Sequence, residues 1–158
     1  STTGTASRAT AIGDSSVANR TNATAVGERA SATNASTTSI GSVSSASGLS
    51  ATAVGVSYNA MGDRSTSIGT ISDATMDNAT ALGHSAQATG PNATALGQGS
   101  NADSESATSV GQGANADDVQ ATAIGAAAVS NGTGAVSLGF SSNAVGNNTK
   151  KMKSASLY

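Results

Sequence analysis

Asn22-Ala23-Thr24-Ala25-Val26-Gly27 returns as Asn78-Ala79-Thr80-Ala81-Leu82-Gly83 and again as Asn92-Ala93-Thr94-Ala95-Leu96-Gly97. The final glycine of this stretch recurs as Gly13, Gly27, Gly41, Gly55, Gly69, Gly83, Gly97, Gly111, Gly125 and Gly139, in steps of fourteen without an insertion. A period held in register over that length marks a repeat architecture, in which each unit stacks on the one before it.

The residues around the glycine are as regular as the glycine. An aliphatic side chain always precedes it: Ile12, Val26, Ile40, Val54, Ile68, Leu82, Leu96, Val110, Ile124 and Leu138. Only Ala or Ser stands two before, and Thr stands three before from Thr10 to Thr122, until Val136 breaks the column. Five residues after the glycine comes Ala18, Ala32, Ala46, Ala60, Ala74, Ala88, Ala102, Ala116 and Ala144, with Ser130 the exception. The segment before the glycine therefore alternates with the period of a strand: Asn22, Thr24 and Val26 face one way, Ala23 and Ala25 the other.

Fourteen residues hold two strands of about five residues and two turns of about two. The second strand runs through the Ala five after the glycine, and the second turn falls near Leu49, Asp63, Asp77, Pro91 and Glu105. Pro91 there sits where a ladder can spare an N–H. Glycine seven after the repeat glycine, as in Gly48, Gly62, Gly90, Gly132 and Gly146, suits the same bend. The expectation is an all-β fold: a flattened, two-sided parallel β-solenoid whose layers approach so closely that only Ala, Ser or Gly faces inward. Rungs stacked at about 4.8 Å make ten coils a rod roughly 50 Å long. Residues 1–7 read as a lead-in, 8–146 as ten coils, and 147–158, with Lys150, Lys151 and Lys153, as a linker or end segment.

Composition excludes an ordinary core, since the 158 residues include one Phe, two Tyr and no Trp. Such a chain resembles low-complexity sequence, but disorder needs no period. Seven basic and nine acidic residues leave a net charge of -2, which argues against nucleic acid and anionic membrane as partners. The absence of cysteine decides little about compartment. No apolar run approaches a membrane span and the first residues do not read as a signal peptide, so an address and an anchor are expected elsewhere in a longer chain.

Nothing in the sequence reads as a catalytic site, and no metal or cofactor is expected. His84 has no cysteine or clustered carboxylate near it and reads as a solvated surface residue. The many serines lack a base to activate them. Asp103 and Asp117 share a column with Glu105 and Asp118 nearby; a solvated acidic patch is favoured over a calcium site, because the glycine-rich calcium nonapeptide is absent. Sequons at Asn19, Asn22, Asn34, Asn78, Asn92 and Asn131 arise largely because the repeat spells Asn-Ala-Thr, and Gly132-Thr133-Gly134 is read as a turn.

One feature requires a partner. The outward face of the first strand carries an unbroken aliphatic stripe, too large to leave in water, and association along it is the natural remedy. Here the chain resembles the heads of trimeric autotransporter adhesins, the YadA-like family of Gram-negative surface proteins. Their repeat is centred on Ser-Val-Ala-Ile-Gly; this sequence has Ala-Thr-Ala-Ile-Gly at 121–125, Ala-Thr-Ala-Val-Gly at 23–27 and 51–55, and Ser-Thr-Ser-Ile-Gly at 65–69. The match runs over residues 8–146, with Thr where the family has Val and no neck motif after Gly146. The resemblance implies a left-handed parallel β-roll assembled as a homotrimer, with the aliphatic column at the trimer core. It also implies a head held outside the outer membrane on a stalk and a C-terminal barrel.

The function implied is non-enzymatic attachment to host cells or extracellular matrix, through a multivalent rigid rod. Glu28, Val56, Tyr58, His84 and Phe140, which vary between coils, are the candidate outer-face binding residues. Two rival readings are ice binding through the Thr ladder and a passive spacer within a longer adhesin.

Overall fold

The computed structural model describes residues 3–4, 7–57 and 59–153. Two parallel sheets of eleven strands each account for the regular structure. One sheet collects the strands that precede the repeat glycines, from Thr10–Ile12 and Thr24–Val26 through Val136–Leu138 to Lys150–Met152. The other collects the intervening strands, from Thr3–Gly4, Val17–Ala18 and Ser31–Ala32 to Asn143–Val145. The chain alternates between the sheets, and each strand pairs with its equivalent one coil away: Thr24 lies against Thr38, Val26 against Ile40, and Ala32 against Ala46. The protein is thus a two-sided parallel β-solenoid, as the period predicts.

Strands are shorter than expected, three residues in one sheet and mostly two in the other. The reason lies in a second, finer period. Positive φ recurs every seventh residue from Arg8 to Asn148, at eighteen non-glycine positions together with Gly99, Gly113 and Gly134. Each such residue is the third of a four-residue turn. Ser16 N–H closes onto Gly13 O at 3.3 Å with Ser15 at φ 55°, and Ala23 N–H closes onto Arg20 O at 3.1 Å with Asn22 at φ 61°. Positive φ at that position is the requirement of a type II turn. Each coil is therefore two seven-residue halves, each closed by the same type of turn.

The left-handed residue also serves the ladder, because its N–H reaches back to the preceding coil. Arg29 N–H donates to Asp14 O at 2.8 Å and Val43 N–H to Glu28 O at 2.9 Å. Together with bonds such as Thr24 N–H to Thr37 O and Gly27 N–H to Ile12 O, both 2.8 Å, this pairs turn and strand backbone alike. Most backbone groups between coils are thereby satisfied by other backbone groups.

Four inward columns fill the interior, at four and two residues before the repeat glycine and at three and five after it. In the coil around Gly27 these are Ala23, Ala25, Ala30 and Ala32, all fully buried. Where a hydroxyl replaces a methyl it usually finds a partner, as buried polar groups do. Ser39 pairs with Ser44 at 2.5 Å, Ser67 with Ser72 at 2.8 Å and Ser137 with Ser142 at 2.5 Å, while Ser109 donates to Ala114 O at 2.8 Å. Thr37, in a column of mostly alanine, donates to Asn34 O at 2.7 Å. Ser65 occupies that same column, and its buried Oγ has no hydrogen-bond partner.

The repeat glycines have a stricter cause than the turn. Gly27 has φ 134°, and a Cβ there would lie 2.4 Å from Gly41 O in the next coil. Gly48 differs from the expectation: its φ is not positive, and its small size is required because a Cβ would fall 2.0 Å from Gly62 O.

The ladder runs past the side-chain repeat at both ends. Thr3–Gly4, within the lead-in, pairs with Val17 and Ala18, and Lys150–Met152, within the expected linker, pairs with Val136–Leu138. Parallel pairing asks only for backbone donors and acceptors, so it continues where the side-chain columns fail. Lys151 takes the register of an inward Ser yet is exposed, since no described rung covers it.

Ser65→Ala removes an uncompensated buried hydroxyl and restores the column's usual residue. It is expected to raise unfolding stability by about 1 kcal/mol, read as a higher denaturation midpoint with an unchanged m-value.

Candidate interaction surfaces

The outer face of the three-residue strands carries two columns side by side. Threonines from Thr24 to Thr122 are half-buried by their neighbours along the ladder. The aliphatic column is more open: Ile40 is 39 % exposed, Leu82 40 %, Leu96 41 % and Leu138 39 %, while Val26, Val54, Ile68 and Val110 are half-buried. Ile12, Ile124 and Met152 extend the exposed line, Met152 lying in register with Leu138. A single chain thus presents a continuous apolar stripe along its length.

The predicted outer-face residues fall along one edge and do not converge. Glu28, Val56, His84 and Phe140 each follow a repeat glycine directly, so they line the first turn two or four rungs apart, at least about 10 Å from one another. Their neighbours are local. Glu28 pairs with Arg29 at 3.2 Å, His84 Nδ1 lies 3.2 Å from Ser85 Oγ, and the Lys153 ammonium sits 6.0 Å from the Phe140 ring centroid. Tyr58, the fifth of these residues, lies outside the described residues.

Carboxylates on the second edge and the opposite sheet belong to the ladder. Asp63 Oδ1 accepts Leu49 N–H at 2.8 Å, and Asp77 Oδ1 accepts Asp63 N–H at 2.9 Å, so each acid satisfies a donor of the preceding coil. Asp103 accepts from Thr89 Oγ1 at 2.7 Å and Asn101 Nδ2 at 2.8 Å, and Asp117 accepts from Asn115 Nδ2 at 3.0 Å. Sequence reasoning had the column but missed these partners, although the doubled Asn-Ala-Asp at 101–103 and 115–117 was the available signal. Among the described residues no three acidic, His or Cys side chains gather to hold a metal ion, and no helix is long and apolar enough to cross a membrane.

The geometry matches known proteins. The family model described as the YadA head domain repeat matches residues 5–30, 46–72, 74–100 and 102–128, more than half of the chain. The chain belongs to the YadA head family. A solved structure with the same architecture is the collagen-binding domain of the Yersinia adhesin YadA, at 27 % identity and a TM-score of 0.70, covering 82 % of this chain and 72 % of that one. No curated protein matches. The YadA head repeat is the head of an adhesin, and the β-roll found here is the same scaffold.

Asp63→Ala leaves Leu49 N–H without its acceptor and is expected to cost about 1 kcal/mol in chemical denaturation. Asp63→Asn, which keeps an acceptor oxygen, is expected to recover most of that loss.

Proposed function

We propose that this chain is the head segment of a surface-exposed adhesin that works as a homotrimer and attaches a Gram-negative cell to host cells or extracellular matrix without catalysing a reaction. The observation that carries it is the aliphatic stripe, exposed on a single chain whose family match and YadA-like fold both point to an adhesin head. Three copies with Ile12, Val26, Ile40, Val54, Ile68, Leu82, Leu96, Val110, Ile124 and Leu138 turned toward a common axis bury the stripe. The opposite sheet then faces outward, and the first-turn edge, with Glu28, Val56, His84 and Phe140, stands at the border between one copy and the next. A rod of this kind repeats one weak contact along its length and three times around its axis, so a modest contact becomes a strong attachment.

The match to a collagen-binding domain makes fibrous matrix protein the first ligand class to try. A second reading is ice binding through the in-register Thr ladder, favoured by pairs such as Thr66 against Thr80 and Thr80 against Thr94. The aliphatic column beside it counts against that reading, because it turns the same face into an association surface. A spacer role differs only in leaving ligand contact to other parts of the adhesin.

Light scattering is expected to give about three times the chain mass of 14.9 kDa, and Leu82→Asn with Ile124→Asn to reduce it to one. Immobilised collagen, fibronectin and laminin are the surfaces to test, with binding expected of the trimer and lost in that double variant. A wild-type chain that stays monomeric at high concentration and shows thermal hysteresis would overturn the adhesin reading in favour of ice.

A further inference from the structure

Exposed apolar side chains outside the aliphatic column are concentrated in the coils between Gly41 and Met76. Val43, Val56 and Ile71 stand on the first-turn edge; Leu49, Met61 and Met76 stand at or beside the second-turn edge of the same coils. The equivalent first-turn positions of other coils are largely polar or small, such as Asp14, Arg29, Gln98, Gly99 and Gly113. Two of the three first-turn residues are also expensive. Val43 at φ 59° and Ile71 at φ 58° are β-branched residues in left-handed backbone, at a first-turn position that Ser, Gly, Arg and Ala fill in the other coils. Neither packing nor backbone geometry within one chain explains them.

Symmetry does. In a closed ring of parallel copies set at one height, the first edge of each copy meets the second edge of the next, because ring contacts are heterologous. Two unlike apolar patches on opposite edges of the same coils are the arrangement that such a ring requires. The first patch also continues the aliphatic stripe, since only Gly55 separates Val54 from Val56, and Ile71 N–H bonds Val56 O at 3.2 Å.

We propose that Val43, Val56 and Ile71 of one copy dock against Leu49, Met61 and Met76 of the next. They form an apolar belt that closes the trimer around its circumference at the coils of Gly41, Gly55 and Gly69. The belt rests on the trimeric reading above and adds to it a specific lateral contact. The occupant is a second copy of this chain, and it fixes the relative height of the three copies, which the uniform axial stripe alone leaves free to slip by a rung.

The absence of native cysteine makes the test direct. Three double variants, Val43→Cys/Leu49→Cys, Val56→Cys/Met61→Cys and Ile71→Cys/Met76→Cys, are oxidised and run without reductant beside their single-cysteine parents. Leu82→Cys reports the axial contact separately, through disulfide-linked dimers. At least one double variant is expected to give a covalent trimer while its single parents stay monomeric in detergent, because each bond joins unlike positions. Light-scattering trimers that yield no such product from any pair overturn the belt and leave the trimeric reading intact. Monomers throughout, with no Leu82→Cys dimer, overturn that reading and the belt together.

A second measurement separates docking from mere strain. Val43→Asn with Ile71→Asn relieves the left-handed backbone, so without a belt the trimer holds at least as well as before. With the belt, the concentration for half-dissociation rises about tenfold or more; an unchanged value counts against it.

Discussion

The backbone of each coil is committed to the next through bonds that leave no freedom in the offset. Strand donors reach thirteen residues forward, as from Thr24 to Thr37 and from Val17 to Ala30, while turn donors reach fifteen back, as from Gly27 to Ile12 and from Arg29 to Asp14. Both sets must be satisfied together, so a single inserted residue disrupts a turn and moves a strand's small inward residues to the outer face. The layers lie too close to take up that error. A Cβ on Gly27 already meets the Gly41 carbonyl, and the interior accepts little larger than the methyl of alanine or the hydroxyl of serine. The strict fourteen-residue period in the sequence is therefore a consequence of hydrogen bonding, and the small columns are a consequence of layer spacing.

An interior of this size changes what holds the protein together. Burying alanine removes little apolar area per residue, and the large aliphatic side chains are all on the outside. The backbone ladder takes a larger share of the work than in an ordinary globular domain, and the remaining apolar gain is available only between chains. In the proposed trimer folding and association are linked: the residues that a core would bury are those that face the other copies. The same logic explains why acids such as Asp63 and Asp77 sit in the ladder, since at the thin edges of the roll side-chain acceptors complete what the backbone leaves open.

Much of this was legible from residue identities. The alternation through Asn22 to Val26 named the inward and outward faces correctly, with Ala23 and Ala25 fully buried and Thr24 and Val26 half-exposed. The seven-residue half-turn was not legible, because its left-handed position holds Arg29, Val43, Gln120 and Ala127 as well as Asn and Ser. A backbone conformation imposed by the ladder overrides local preference, and so it leaves only a faint trace in composition. Pairing at the ends is hard to read for the opposite reason. Lys150–Met152 has lysines in the Thr and Ala/Ser columns and keeps only an apolar Met152 in the aliphatic one, but its peptide groups suffice for pairing.

The surfaces were harder to read than the scaffold. Along the first edge, Glu28, Val56, His84 and Phe140 stand on a common line, but the rungs between them hold them apart, so variation in sequence did not translate into a pocket. What a solenoid offers a ligand is an array, in which identity of neighbouring rungs matters more than any one side chain. The departures from that uniformity then acquire meaning. Two β-branched residues held at positive φ, opposite a Leu and a Met in the same coils, break the pattern where a polar residue would cost the single chain less. Such residues make sense on an edge that is not a free edge, and the constraint that keeps each coil in register with the next extends, through them, to the register of one chain with another.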